Sequence, residues 1–267
     1  MPEGDTIHKL ANYLGPRLED QQILSAGGAR ADVARRLNGR HIEGVSARGK
    51  HLFIELDNAT ALRSHLGMHG SWHRYAHDEE WQRPQSQASI VLRIADDDYV
   101  CFNAKEVELV RLSSVRNRVV NERLGPDLIG DEVDAIALVR RAREFLDPEA
   151  LLIDVLLDQR VASGIGNVYK SEVLFIERLP PDKMLGEVSD EKLAACFSLA
   201  SDLLRKNLGG GMRVTRFEND SAGSVWVYGR TGQPCLECDT PIRSLRMGKN
   251  HRGTFWCPAC QSARDHD

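Results

Sequence analysis

Cys235-Leu236-Glu237-Cys238 and Cys257-Pro258-Ala259-Cys260 lie with eighteen residues between their inner cysteines. Two residues between thiolates let both sulfurs reach one tetrahedral ion from a tight turn. Four cysteines leave no open coordination position, so the spacing predicts a structural zinc site. Pro234, Pro241 and Gly248 suit a turn-rich hairpin between the pairs. Two disulfides are the alternative, and a reducing compartment disfavours them. The remaining thiols, Cys101 and Cys196, sit in apolar surroundings and are expected to be buried and inert.

Upstream of the cysteines the pattern is helical. Segments at Val133 to Phe145, Ala150 to Gln159, Val168 to Ile176 and Glu191 to Leu208 carry apolar residues at helical spacing. Residues 113 to 130 connect them to an earlier half that is strand-like from about 20 to 112. Strand candidates there are His51 to Leu56, Ala61 to Leu66, Ser71 to Tyr75, Ile90 to Ala95 and Tyr99 to Phe102, with turn signals such as Asp57-Asn58 between them. Short strands with frequent turns predict a sandwich or barrel. Before the strands, residues 5 to 14 read as a helix with Ile7, Leu10, Ala11 and Leu14 on one face. Asp5 or Thr6 is the expected cap, and Gly15-Pro16 the expected stop.

The chain has 267 residues, 42% of them hydrophobic and 28% charged, which suits two globular domains with a small appendage. No apolar run approaches the roughly 20 residues of a membrane span. The start lacks a signal-peptide pattern, so the expected location is the bacterial cytoplasm. Net charge is −4, from 35 basic and 39 acidic residues. That sum argues weakly against nucleic acid. Yet from Ser221 to Arg264 six basic residues face two acidic ones, and phosphate affinity follows a local face rather than the total.

Two further features bear on chemistry. Removal of the initiator methionine would leave Pro2 with a free secondary amine, able to attack a sugar carbon and form a Schiff base. Many chains begin Met-Pro for no such reason. Ser163-Gly164-Ile165-Gly166-Asn167-Val168 lies between two helical segments, where glycines ahead of a helix expose N–H groups that bind anions. Asn167 would cap the helix or meet a phosphate, and an ordinary helix–turn–helix connection is the alternative.

Together these pieces resemble the formamidopyrimidine-DNA glycosylase and endonuclease VIII family. The segments that carry the resemblance span nearly the whole chain. They are Met1 to Thr6, Arg48-Gly49-Lys50-His51-Leu52, Ser64 to Trp72, and Leu124-Gly125-Pro126-Asp127. Then come Leu157-Asp158-Gln159 through Gly164 to Glu172, Val227-Tyr228-Gly229-Arg230, and Arg252 to Cys257. The resemblance implies an α+β fold. An N-terminal β-sandwich domain with an N-terminal helix would occupy 1–120, a helix–two-turn–helix domain 121–226, and a four-cysteine zinc finger 227–264. Double-stranded DNA carrying damaged bases or abasic sites would lie between the domains, with the protein acting as a monomer.

It also implies roles. Pro2 matches the nucleophile, Glu3 the carboxylate that handles protons at the sugar, and Lys50 a lysine that meets a phosphate beside the lesion. Met68 matches a side chain that fills the gap left by the flipped base. Asn167 and Arg252 match phosphate ligands, with Lys170 beside them on the DNA-binding helix. Cys235, Cys238, Cys257 and Cys260 would hold structural Zn2+. The implied activity is a DNA glycosylase and AP lyase that ends in β,δ-elimination.

Two departures stand out. Thr6 occupies a place where the family often has Glu, although a Pro-Glu-Gly-Asp-Thr start also resembles actinobacterial-type endonuclease VIII relatives. Where the purine-specific branch has an Asp-Pro-Arg-Arg-Phe-Gly-like loop, this chain reads Phe102-Asn103-Ala104-Lys105-Glu106-Val107-Glu108-Leu109, so oxidised pyrimidines are the expected substrates. A non-catalytic damaged-DNA sensor of the same fold is the competing reading. A zinc-ribbon transcription factor explains the cysteines but not the N-terminal matches.

Overall fold

The structure, a computed structural model, describes residues 2–113, 124–218 and 220–262. It divides into two compact units, Met1–Arg123 and Leu124–Asp267.

The first unit begins with helix α1 (Gly4–Leu18). Ile7, Ala11, Leu14 and Leu18 recur every three or four residues and bury one face in the core. The N-cap is Glu3, in extended backbone, rather than Asp5 or Thr6. Thr6 closes the first turn instead: the Glu3 amide donates to Thr6 Oγ1 at 3.4 Å. The helix also runs past Gly15 and Pro16, where a stop was expected. Leu14 and Leu18, one turn apart, are both buried, and that burial outweighs the bond lost at Pro16. Pro16 faces solvent, where water can satisfy the carbonyl it leaves without a donor.

Two four-stranded antiparallel sheets follow. One has the order β2 (Ile42–Arg48), β3 (His51–Leu56), β4 (Thr60–His65), β8 (Glu106–Arg111). The other has the order β1 (Ser25–Gly27), β6 (Ala88–Arg93), β7 (Asp97–Phe102), β5 (Ser71–Ala76). Leu52, Ile54 and Leu62 from the first sheet meet Ile90, Leu92 and Cys101 from the second, making a sandwich core that α1 also joins. The sequence pattern missed the short helix α2 (Ala31–Leu37) and strands β1, β2 and β8. The loop at 77–87 covers the outer face of the second sheet, where Trp81 packs with Tyr75 and Phe102.

The second unit is helical. It holds α3 (Ala135–Phe145), α4 (Leu152–Leu157), α5 (Asn167–Ile176) and α6 (Asp190–Lys206). Asp134 Oδ1 accepts from the Ala137 amide at 3.0 Å, and Ser189 Oγ from the Lys192 amide at 3.3 Å, so each cap sets where its helix starts. The helix expected over 150–159 is only one turn and a half, because the backbone at Leu151 and Asp158 is extended. Leu152, Ile153, Tyr169, Val173, Phe197 and Leu204 centre the core. Strands β9 (Arg243–Met247) and β10 (Arg252–Trp256) form a hairpin that belongs to this unit. Among the described residues no helix is long and apolar enough to cross a membrane. Cys101 and Cys196 are buried, and burial pushes both thiols up, Cys196 to about 12, which makes them inert as expected.

Candidate functional site

In the first unit the expected residues sit on turns and a helix start. Pro2 is partly buried and leads straight into Glu3, which has none of its surface exposed. Lys50 is half-buried in the two-residue turn Gly49-Lys50, between the paired Arg48 and His51, and Gly49 takes the positive φ of 55° that the turn needs. Met68 lies on the turn between β4 and β5 and is 56% exposed, so it is no core methionine. The turn is tight: the Gly70 amide donates to the Leu66 carbonyl at 3.0 Å, and a Cβ at Gly70 would lie 2.4 Å from that oxygen.

A polar network beside Lys50 escaped sequence reasoning. Register sets His51 opposite His65, and His65 opposite Glu106. The two imidazole rings lie 4.8 Å apart. Arg63 Nη1 is 3.0 Å from His51 Nδ1, and its guanidinium also pairs with Glu106 and Glu108 at 2.8 and 2.7 Å. Burial holds His51 down at about 3, helped by His65 and Arg63, and His65 down at about 4. Both rings are therefore neutral near pH 7.

In the second unit the glycine turn leads directly into α5. Gly166 is the N-cap of α5, so Asn167 is the first helical residue rather than the cap. Gly164 takes φ +115°, and Gln159 braces the turn, accepting from the Gly164 amide at 3.1 Å and donating to the Ile165 carbonyl at 3.0 Å. The Asn167 side chain turns toward the hairpin, where Nδ2 donates to the Gly253 carbonyl at 2.7 Å. Arg252 opens β10 one residue earlier, half-buried and paired with Met247. Asn167, Lys170 and the start of β10 thus come together within one unit. Lys170 departs from expectation. It is fully buried, with its ammonium on Asn167 Oδ1, Thr254 Oγ1 and the Gly253 carbonyl, so it does not present its charge on the surface.

Glu172 is a second residue that the sequence did not single out. It is fully buried, and its carboxylate accepts from the amides of Trp226, Val227 and Tyr228 at 2.8–2.9 Å and from the Thr215 hydroxyl. One side chain thereby ties α5 to both ends of the segment from 215 to 228. Glu172→Gln turns one acceptor into a donor facing N–H groups. Each stranded buried donor costs about 1–3 kcal/mol, so a loss of about 3 kcal/mol in unfolding free energy is expected by denaturant titration. A loss below about 1 kcal/mol would mean that the segment holds itself.

The four cysteine sulfurs all lie within 4.8 Å of one another. Cys235–Cys260, Cys238–Cys257 and Cys238–Cys260 are 3.9, 3.5 and 3.4 Å apart, far from the roughly 2.05 Å of a disulfide. A tetrahedron with Zn–S bonds of about 2.3 Å has edges of about 3.8 Å, so the donor set fits zinc. The Thr240 hydroxyl and amide hold the Cys238 thiol down at about 6, which favours a thiolate. Beneath it, Cys235, Cys257, Val227 and Ile242 pack on Phe175 of α5. This is a closed structural zinc site docked on the helical unit.

Comparison with known proteins places these parts. Residues 1–106 match the Formamidopyrimidine-DNA glycosylase N-terminal domain. Residues 124–218 match the Formamidopyrimidine-DNA glycosylase H2TH domain, and 232–263 match the Zinc finger found in FPG and IleRS. The chain is 35% identical to the "DNA-(apurinic or apyrimidinic site) lyase Nei2" of Mycolicibacterium smegmatis, covering 98% of this chain and 100% of that protein. It is 34% identical to the "Probable endonuclease 8 2" of Streptomyces coelicolor, covering 98% and 94%. In fold it is similar to a Lactococcus lactis FPG mutant solved with Fapy-dG-containing DNA, with a TM-score of 0.83 at 24% identity over 98% of this chain and 100% of that one. A proline-led sandwich, a braced glycine turn and a four-cysteine hairpin, matched from end to end, make this chain a member of the formamidopyrimidine-DNA glycosylase and endonuclease VIII family.

Proposed function

We propose that the chain is a bifunctional DNA glycosylase and AP lyase of base excision repair, acting on oxidised bases, chiefly pyrimidines. The observation that carries this is the order at the chain's start: Pro2 stands immediately before a carboxylate, Glu3, that is wholly withdrawn from solvent. Relatives named endonuclease 8 and Nei2 lyase support it.

The lesion leaves the stack before its sugar is reached. With Met1 removed, the Pro2 amine attacks C1′. A C–N bond forms, the glycosidic bond breaks, and the base leaves with the electron pair and takes up a proton. Opening of the sugar ring gives an iminium, which acidifies C2′–H. Loss of that proton expels the 3′ phosphate, and a second elimination expels the 5′ phosphate. Glu3 handles protons at the sugar. Lys50, Asn167 and Arg252 hold phosphates, and Met68 occupies the gap in the stack. Zinc supplies no chemistry; bound by Cys235, Cys238, Cys257 and Cys260, it holds the hairpin that carries Arg252. The protein works as a monomer in the cytoplasm.

The preference for pyrimidines rests on 102–109, which runs as the end of β7 and strand β8 without an Asp-Pro-Arg-Arg-Phe-Gly loop. Borohydride trapping on duplexes with an oxidised pyrimidine, 8-oxoguanine or a bare abasic site tests the whole reading. Trapping is expected on the abasic site and the pyrimidine, with the pyrimidine favoured over 8-oxoguanine by about tenfold or more. Tight binding to all three with no trapping would instead establish a non-catalytic damage sensor.

A further inference from the structure

Resting on that reading, we propose that Lys170 is a positioning residue for the DNA grip: its buried ammonium sets which way the Asn167 amide faces and ties it to β10, so that Asn167 and Arg252 meet phosphates as one rigid piece.

Lys170 Nζ lies 2.8 Å from Asn167 Oδ1, 2.8 Å from Thr254 Oγ1 and 3.3 Å from the Gly253 carbonyl. An ammonium has three N–H donors and no acceptor. It therefore accepts only one orientation of the neighbouring amide. Asn167 must turn its oxygen inward, because the flipped amide would aim N–H groups at N–H groups. With the oxygen committed, Nδ2 faces the other way. One of its hydrogens goes to the Gly253 carbonyl at 2.7 Å. The second remains for a ligand, on a residue that keeps 7% of its surface exposed at the first turn of α5. A phosphate oxygen is the acceptor such a donor takes, and the helix N-terminus adds to the attraction.

The same ammonium reaches the hairpin. The Gly253 carbonyl accepts from both Asn167 and Lys170, and Gly253 directly follows Arg252 in β10. The hairpin is thus pinned to α5 one residue from the arginine. Asp154 in α4 holds the tip of the same hairpin, accepting from the Lys249 amide at 3.0 and 3.1 Å. Lys170 itself has no exposed surface, so it reaches no phosphate directly.

The test is binding of a duplex with an uncleavable abasic analogue, from low to moderate salt, by full-length zinc-loaded protein. Wild type is compared with Lys170→Met, Asn167→Ala, the double variant and Arg252→Ala. Methionine keeps the length of the side chain and removes all three donors. Lys170→Met should weaken binding about tenfold, the scale of a hydrogen bond to a charged group, with an unchanged salt slope. The double variant should lose clearly less than the product of the two single losses, because Lys170 acts in part through that amide. Arg252→Ala is the direct-contact reference, and its slope should fall by about 0.9. A slope that falls by about 0.9 in Lys170→Met would make Lys170 a phosphate ligand and overturn the proposal. So would losses that multiply in the double variant. If Lys170→Met fails to hold zinc, Lys170→Gln, which still offers donors to Asn167 Oδ1, is decided by the same two readings. A wild type that ignores the abasic duplex would sink the repair reading itself, before any variant is compared.

Discussion

Blocking the amino terminus of the processed protein should abolish borohydride cross-linking to abasic DNA. The reason is specific to the proposed nucleophile. An α-amino group titrates near 7.7–8.0, so a useful fraction is neutral at pH 7, whereas an ordinary lysine at about 10.4 is almost wholly protonated. Only the neutral amine attacks carbon. Acetylation, or a retained Met1, turns the Pro2 nitrogen into an amide and removes the lone pair. Borohydride then has no iminium to reduce, and trapping should fall to background. Pro2→Gly should keep part of it through a primary amine. Equal trapping by blocked and free protein would assign the step to a lysine and end the Pro2 assignment.

Losing the metal should be nearly as severe for DNA binding. Apparent binding free energies for structural zinc are about 10–16 kcal/mol, and that energy is folding energy. The buried cluster under the cysteines is small, built on Phe175, Val227, Cys235, Ile242 and Cys257. It cannot order the hairpin alone. Cys257→Ser, or strong chelation, should therefore release the hairpin together with Arg252 and lower DNA affinity by about 100-fold or more. The first unit has its own core, from Ile7 to Val107, and should keep its unfolding transition. A zinc-free protein with full activity would contradict this.

The cysteine spacing, the strand–helix order and the glycine turn were legible because each is local: a few residues in fixed steps determine the geometry. What stayed hidden depends on partners distant in the chain. Helix α2 is seven residues long, too short for a helical period to stand out. Pro16 read as a stop because local rules ignore the burial of Leu18. Strand β8 opens with Glu106 and carries Glu108, whose carboxylates are explained by Arg63 more than forty residues away. Lys170 read as a surface charge because Thr254, its acceptor, lies 84 residues on. Glu172 looked like one more acidic residue until Thr215 and the amides of Trp226 to Tyr228 closed upon it.

The turn that presents Met68 also constrains how this protein can drift over generations. Gly67 sits at φ +65°, where an added Cβ would lie 2.9 Å from Lys105, and Gly70 has no room at all against the Leu66 carbonyl. Met68, which follows Gly67, is 56% exposed and belongs to none of the buried clusters among the described residues. Position 68, more than half exposed, can therefore change at less cost to folding than Gly67 and Gly70, where a side chain meets strain or backbone. On the proposed role of Met68, lineages can retune the group that fills the gap at a lesion without rebuilding the loop that carries it.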